Sequence, residues 1–460
     1  MKILTKLSAI LFIAVALFSI SSAFGEAAIG INVLCKGAIT QANLNDLAQF
    51  GTVLDTVTEI KLVTIRSTAS QLPAIRARSY VASASPDAVR NGSPVDTVAA
   101  TNFANGISTW DMDAVNVTSN PAVSGRAVSY DGTGVYVAVL DTGLIDSWRQ
   151  YLPEQRIATQ YAMAFRGGGG ETGNVSDPTN MWEHDQNSHG THVTSTILGY
   201  SLSGTPVNGV APKATVIPVK VLGQNGSGWS SVIAHGIVYV ANLKTGPLGG
   251  APVVINMSLG GPTLDAAEQA AMDYAISKGV IIVAAAGNEG DAGMGYPGAY
   301  APVISVAATG WTHQWLAGPD GNVNNWWYAD DVAEPTKASD FYIADFSSRQ
   351  KAGQQLDVAA PGSWTVGPYQ VNSGQLSYYY LSGTSMATPH VAGVVALMCQ
   401  KKPSLTAAAA ESILKSSAIP LPPGSRTVAL PDGTTEVQSW GSDATGAGMV
   451  TADAAIKATK

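Results

Sequence analysis

Five short, mostly apolar runs, at residues 135–140, 216–222, 253–257, 280–286 and 303–307, set the tightest limit on what this chain can fold into. Strands covered by helices on both faces lose the in–out alternation of half-exposed strands and become continuously apolar. Helical stretches lie between the runs. The stretch 263–278 starts at Thr263 as an N-cap, carries Asp265 and Glu268 in its first turns and stops at Gly279. Strands alternating with helices from residue 107 onward predict an α/β fold: a doubly wound, mostly parallel sheet flanked by helices. Active sites in such sheets lie beyond the carboxyl ends of the strands, so chemistry is sought where the strands stop.

The first hundred residues have a different texture. Lys2 and Lys6 precede an uncharged apolar run at 7–20, followed by the small residues Ser21, Ser22, Ala23 and Gly25. That order reads as a signal peptide, 1–25, cut near 23–25, because a spanning helix needs ~20 apolar residues. The expectation is a secreted protein, extracellular or periplasmic, with no membrane span in its mature form. Residues 29–98 read as strand, helix, strand, helix, a small α+β unit that Asn91-Gly92-Ser93-Pro94 breaks before a linker at 97–106. The domains are therefore 1–25, an α+β unit at 26–100 and a main domain at 101–460. The main domain carries a Trp-rich insertion at 310–345, whose indoles are expected to pack on one another and on the domain surface.

The net charge of −8 over 460 residues argues against a protein that covers nucleic-acid phosphates. Only Cys35 and Cys399 are present, the first in a segment expected to be removed, so no disulfide framework forms. Cys399, among Val394, Val395, Leu397 and Met398, reads as a core residue.

Four motifs end strands or open helices: Asp141-Thr142-Gly143, His189-Gly190-Thr191-His192, Gly287-Asn288-Glu289, and Gly383-Thr384-Ser385-Met386-Ala387-Thr388-Pro389-His390. Alone, an Asp after a strand is a turn residue and a Ser before a helix an N-cap. Together they supply what acyl transfer by serine needs: a hydroxyl, an imidazole base, a carboxylate to orient it and donors for the oxyanion. A serine opening a helix also offers its own N–H to negative charge, and Pro389 is expected in the first turn, where N–H groups lack partners. His189 and His192 with His184, Glu183 and Asp185 could suggest zinc. The zincin pattern, however, places a Glu directly after the first His and the second His four positions on. His192, His235 and His390 are read as packed or hydrogen-bonded.

With these motifs in this order, the chain resembles the subtilases, the peptidase S8 family of secreted serine proteases, over residues 107–456. The Asp–His–Ser order is the one known for subtilisin. The resemblance implies that Asp141 orients His189, that His189 is general base and acid, and that Ser385 is the nucleophile. Asn288 and the Ser385 N–H would form the oxyanion hole. It also implies that Ser258, Leu259 and Gly260 pair with the substrate backbone, with Gly226, Ser227 and Gly228 as the opposite wall. Ala285, Ala286 and Gly287 would line the pocket for the residue ahead of the cut, favouring large apolar side chains and broad endopeptidase activity on polypeptide substrates. The unit 26–100 resembles the inhibitory, ferredoxin-like propeptide of the family, an intramolecular partner cut off by Ser385 itself between 95 and 106. The mature enzyme is expected to act as a monomer. The chemistry requires no cofactor. The resemblance also allows a structural calcium with no ligand named: Gln150 stands where an acid is sought, flanked by Asp146 and Glu154, and the loop 199–208 has no acid.

Rival readings fail on particular residues. An α/β-hydrolase needs G-x-S-x-G and the order Ser, acid, His. A sedolisin-like acid protease would replace Asp141 and His189 with a Glu/Asp pair and Asn288 with Asp. A pseudoprotease would lack a catalytic position, and none is lacking.

Overall fold

The computed structural model describes residues 26–100, 109–118, 126–168, 180–316, 332–371 and 377–460. The leader 1–25, linker residues 101–106, Gly169, Gly170, Trp326 and Trp327 fall outside them.

The N-terminal unit runs β1 (Ala28–Cys35), α1 (Gln41–Leu47), β2 (Thr52–Val57), β3 (Leu62–Thr68), α2 (Leu72–Arg76) and β4 (Val81–Pro86). The sheet is antiparallel in the order β2-β3-β1-β4, the ferredoxin-like split βαβ arrangement. Ile31, Val33, Leu47, Val63, Ile65 and Ile75 form its own small core. The second of the two strands expected in this unit is itself two, β2 and β3. A 3₁₀ turn, Thr58–Ile60, with Lys61 at φ 60°, reverses the chain without any glycine or proline to announce it.

Two short strands follow, β5 (Val89–Asn91) and β6 (Asp96–Ala99), so the expected linker at 97–106 begins as a paired strand. After α3 (Trp110–Ala114) come β7 (Tyr136–Asp141), β8 (Met163–Ala164), α4 (His189–Leu198) and the hairpin β9 (Tyr200–Leu202) and β10 (Thr205–Val207). Next are β11 (Thr215–Lys220), β12 (Ser227–Trp229), α5 (Ser230–Thr245), β13 (Val253–Met257), α6 (Ala266–Ser277), β14 (Ile281–Ala285) and β15 (Ile304–Trp311). The chain continues through β16 (Phe341–Ile343), β17 (Val358–Pro361), β18 (Thr365–Pro368), β19 (Tyr378–Ser382) and α7 (Thr384–Lys401). It closes with α8 (Ala407–Ser417), the hairpin β20 (Gly424–Ala429) and β21 (Thr435–Trp440), and α9 (Ala452–Ala458).

The main sheet has eight strands in the order β16-β15-β14-β13-β7-β11-β8, with β17 also on β15. All pairs are parallel except β15 with β16. The doubly wound character is visible within β7. Val137 and Val139 face the core shared with α4 and α7, whereas Ala138 and Leu140 face the one shared with α5 and α6. Both faces are dry, which is why these strands read as continuously apolar.

Helix α6 is capped by Asp265, whose carboxylate accepts from the Ala267 and Glu268 N–H groups, rather than by Thr263. Glu268 is fully buried and not a solvated first-turn acid. Of the insertion's tryptophans, the two among the described residues do pack, but on residues elsewhere. Trp311 stacks on Trp110 at 6.4 Å, and Trp315 meets Trp364 and Tyr380 edge-on. Cys35 and Cys399 are free and buried, and burial pushes the Cys399 thiol up to about 12.

Candidate active site

The carboxyl ends of β7 and β14 and the amino ends of α4 and α7 meet at one edge of the main sheet. Asp141 is the last residue of β7, His189 the first of α4, Ser385 the second of α7, and Asn288 follows β14. Helix α4 can lie this close to β7 because Gly190 has no side chain, as a Cβ there would stand 2.3 Å from the Gly143 carbonyl oxygen.

His189 and Asp141 are both fully buried, with His189 Nδ1 at 2.8 and 3.0 Å from the two carboxylate oxygens. The Thr142 N–H donates to Asp141 Oδ1, so the acid is held from its own strand end. Among the described residues, His189 Nε2 is buried without a hydrogen-bond partner. Ser385 is not turned toward it: its Oγ donates to the Ser258 carbonyl at 3.1 Å.

Asn288 Oδ1 accepts from both the Thr384 N–H and the Thr384 hydroxyl at 2.9 Å. These bonds fix the amide so that Nδ2 is the end left to donate, at the start of the helix that carries Ser385. Pro389 is the sixth residue of α7 and so lies beyond the first turn, contrary to expectation. Its missing N–H would have bonded the Ser385 carbonyl, four residues back. The Ser258 hydroxyl takes that place, donating to the Ser385 carbonyl at 2.8 Å. Ser258 thus ties the segment after β13 to the helix that carries Ser385.

Behind Asp141 lies a group that the sequence reading passed over. Thr142 Oγ1 donates to Asp185 at 2.7 Å and accepts from the Gly190 N–H, while Asp185 also accepts from the Asn187 and Ser188 N–H groups. Lys220 Nζ donates to the Thr142 carbonyl and stands 3.6 Å from Asp185. Burial raises Asp185 and lowers Lys220, and each opposes the other's shift. The only signal in the sequence was the density of polar residues in 183–189, first weighed as metal ligands. Among the described residues no three or more His, Cys, Asp or Glu side chains assemble as a metal cluster. His390 is bonded to Asp111 at 2.8 Å and to the Met386 carbonyl, and His235 to Asp55.

The acids flanking Gln150 do not form a calcium cage. Asp146 pairs with His184 and Glu154 with Arg149. The cavity of about 580 Å³ between this loop and 198–212 is lined by Arg149 and no carboxylate. The residues present do not fit a calcium ion there.

The two proposed cleft walls are already paired. Strand β5 lies antiparallel to β12, with Asn91 opposite Ser227 and Arg90 opposite Gly228. On its other side Asn91 exchanges both backbone hydrogen bonds with Gly260 at 2.9 Å, and the Gly92 N–H bonds the Gly226 carbonyl. The segment 91–94, expected to break the unit, instead runs extended along the cleft. A Cβ on Gly92 would lie 2.7 Å from the Ser258 oxygen and 3.5 Å from His189 Cε1. Continuing the register sets Ser93 opposite Ser258. Beyond it the Val95 N–H bonds the Ser382 carbonyl, and β6 pairs with β19.

Asn91 and Ser93 border a cavity of about 150 Å³ lined by Leu259, Gly260, Ala285, Gly287, Asn288 and Ser385 among others. Ala286 is not among the residues lining that cavity and is buried in the main core. Adjacent residues of an extended segment point to opposite sides, so Ala285 and Ala286 cannot both face the pocket.

Residues 132–448 match the family model described as Peptidase_S8, subtilase family. M-protease of Shouchella clausii (strain KSM-K16) is 36% identical over 309 residues, 67% of this chain and 64% of its own length. Subtilisin Savinase of Lederbergia lenta is 36% identical over 312 residues, covering 68% and 91%. Thermitase of Thermoactinomyces vulgaris is 35% identical over 271 residues, covering 59% and 77%. In fold, the chain resembles fervidolysin from Fervidobacterium pennivorans, described as a keratinolytic enzyme related to subtilisin. The TM-score is 0.65 at 23% identity, over 94% of this chain and 61% of that one. Sphericase gives a TM-score of 0.53 at 29% identity, over 76% of this chain and 99% of that one.

Proposed function

The chain belongs to the subtilase family, and from that membership we propose that it is a secreted serine endopeptidase working through Asp141, His189 and Ser385. The observation that carries the reading is the fully buried His189, bonded to Asp141 through Nδ1 and unpartnered at Nε2 among the described residues, while Ser385 and Asn288 line one cavity.

In this reading Ser385 Oγ leaves the Ser258 carbonyl for His189 Nε2 as substrate binds. The imidazole takes its proton while Oγ attacks the peptide carbonyl, and Asp141 stabilises the imidazolium and holds its tautomer. The developing oxyanion receives the Asn288 amide and the Ser385 N–H, donors fixed before the reaction begins. His189 then protonates the leaving amine, and water repeats the sequence to release the acyl group.

The pairing of 89–92 between Gly226–Gly228 and Ser258–Gly260 supports the walls as the substrate site, because an added strand is how such clefts hold peptides. It also supports the unit 26–100 as an intramolecular inhibitor. The bond carried past the catalytic group by register is Ser93–Pro94, just ahead of the 95–106 window expected for the cut. A pocket bounded by Ala285 and Gly287, with Glu289 at its rim, suits large side chains ahead of the cut.

The test is the intact mass of the secreted protein after treatment with a fluorophosphonate, with the adduct mapped. Loss of the N-terminal unit with one adduct on Ser385 is the expected result, and none is expected in Ser385→Ala. Absence of any adduct in protein that hydrolyses no peptide would overturn the reading.

A further inference from the structure

We propose that Glu268 makes the cleft selective for arginine at the substrate position that Arg90 now occupies, the fourth residue ahead of the cut. The proposal rests on reading this cleft as the protease site.

Arg90 lies on the strand seated between the two walls, opposite Gly228 and next to the residue paired with Gly260. A substrate in the same register presents its own side chain at the same place. Arg90 is wholly buried there. Its Nε and Nη2 donate to Glu268 Oε2 at 3.0 and 2.6 Å, and Nη2 also donates to the Thr263 carbonyl at 2.9 Å. Both side chains of the pair have no exposure.

Glu268 belongs to α6, so it stays with the main domain when the strand leaves. Its Oε1 has no hydrogen-bond partner among the described residues. Burial raises its pKa, Arg90 holds it down, and Asp265 and Asp87 raise it further. Asp87 departs with the N-terminal unit, whereas Asp265 remains as the α6 cap. The vacated subsite therefore presents a carboxylate shaped for a planar, multi-donor cation.

Leucine at that position would bury the carboxylate without a partner, a penalty that sites built to bond a polar group impose on analogues lacking it. An acidic residue would add like-charge repulsion. Lysine is a poorer fit, because its compact ammonium cannot reproduce the fork that meets both Glu268 and the Thr263 carbonyl.

The experiment uses the secreted, active enzyme and fluorogenic peptides Xaa-Ala-Ala-Phe-aminocoumarin with Xaa as Arg, citrulline, Lys, Leu or Asp. The expected result is kcat/KM for Arg about 10–100-fold above Leu and citrulline, with Asp lowest. Glu268→Gln should remove most of the Arg preference, lowering kcat/KM for the Arg peptide and raising it for the Leu peptide toward a common value. Equal rates across the series would overturn the proposal and leave the protease reading intact, as would an Arg preference that survives Glu268→Gln. Cleavage of none of the peptides or of unfolded protein would overturn both. The series in the unsubstituted enzyme decides the matter even if Glu268→Gln fails to fold.

Discussion

His192 offers the sharpest test of how this site is built. It sits one turn beyond His189 on α4, fully buried, and among the described residues neither ring nitrogen has a hydrogen-bond partner of ordinary geometry. Burial first, and then the charge of nearby His189, push its pKa down from 6.5 to about 3. Asp111 and the backbones of Thr365 and Tyr379 pull weakly the other way. The native state therefore keeps the ring neutral while the unfolded chain protonates it. Because the folded pKa is the lower one, the contribution to stability is whole above the unfolded pKa. It is lost as pH falls from 6.5 toward 3. Since each pH unit of unmatched protonation costs roughly 1 kcal/mol or a little more, stability should fall by about 2–3 kcal/mol between about pH 6 and pH 4 from this residue alone.

The assay is urea unfolding of the Ser385→Ala protein, which cannot digest itself, with and without His192→Gln. Tryptophan fluorescence is the signal, since all ten tryptophans lie beyond residue 100 and report only the main domain. Carboxylates common to both proteins cancel in the difference. The His192→Gln protein should lose less stability on acidification by that amount. Parallel pH profiles would refute the reasoning, since they would mean that His192 binds its proton equally in both states.

Two further outcomes follow from the geometry. Asn288→Ala should lower kcat by about 10²–10³-fold, the range for removing the oxyanion-hole asparagine of subtilisin, with KM little changed. A loss under tenfold in steady-state peptide hydrolysis would mean that the amide held by Thr384 does not reach the oxyanion. Pro94 makes the bond at the catalytic group a poor substrate, because its nitrogen is locked in a ring and carries no hydrogen. Pro94→Ala should therefore move the N-terminus found by intact mass to residue 94, and a natural enzyme that already begins at Pro94 would contradict this.

The candidate site was legible because its residues sit where strands stop. Asp141, His189, Asn288 and Ser385 each follow or precede an element whose apolar pattern is unmistakable, and the structure brings all four to one edge. What was hidden depends on contacts between residues far apart in sequence. Asn91-Gly92-Ser93-Pro94 has turn composition, yet hydrogen bonds from Asn91 to Gly260, from Gly92 to Gly226 and from the following Val95 to Ser382 hold it along the cleft. Glu268 reads as an acid at a helix start, and only Arg90, 178 residues away, shows that it is buried. Pro389 is tolerated inside α7 through Ser258, a residue that no local pattern links to it. Ala285 and Ala286 differ only in which way each methyl points.

The strand that enters through β5 and leaves through β6 grips the main domain on both sides of Ser385. As one chain it is a divalent ligand: each half keeps the other at the high effective concentration of a short tether. Neither half needs to bind tightly, because whichever lets go is returned before its partner dissociates. A single cut between them abolishes that mutual rescue without breaking any hydrogen bond of either half. Release then becomes two independent dissociations, and the halves separate at their own rates. Occupancy of the cleft is thus governed by chain connectivity as much as by contact, and one hydrolytic event can change it abruptly.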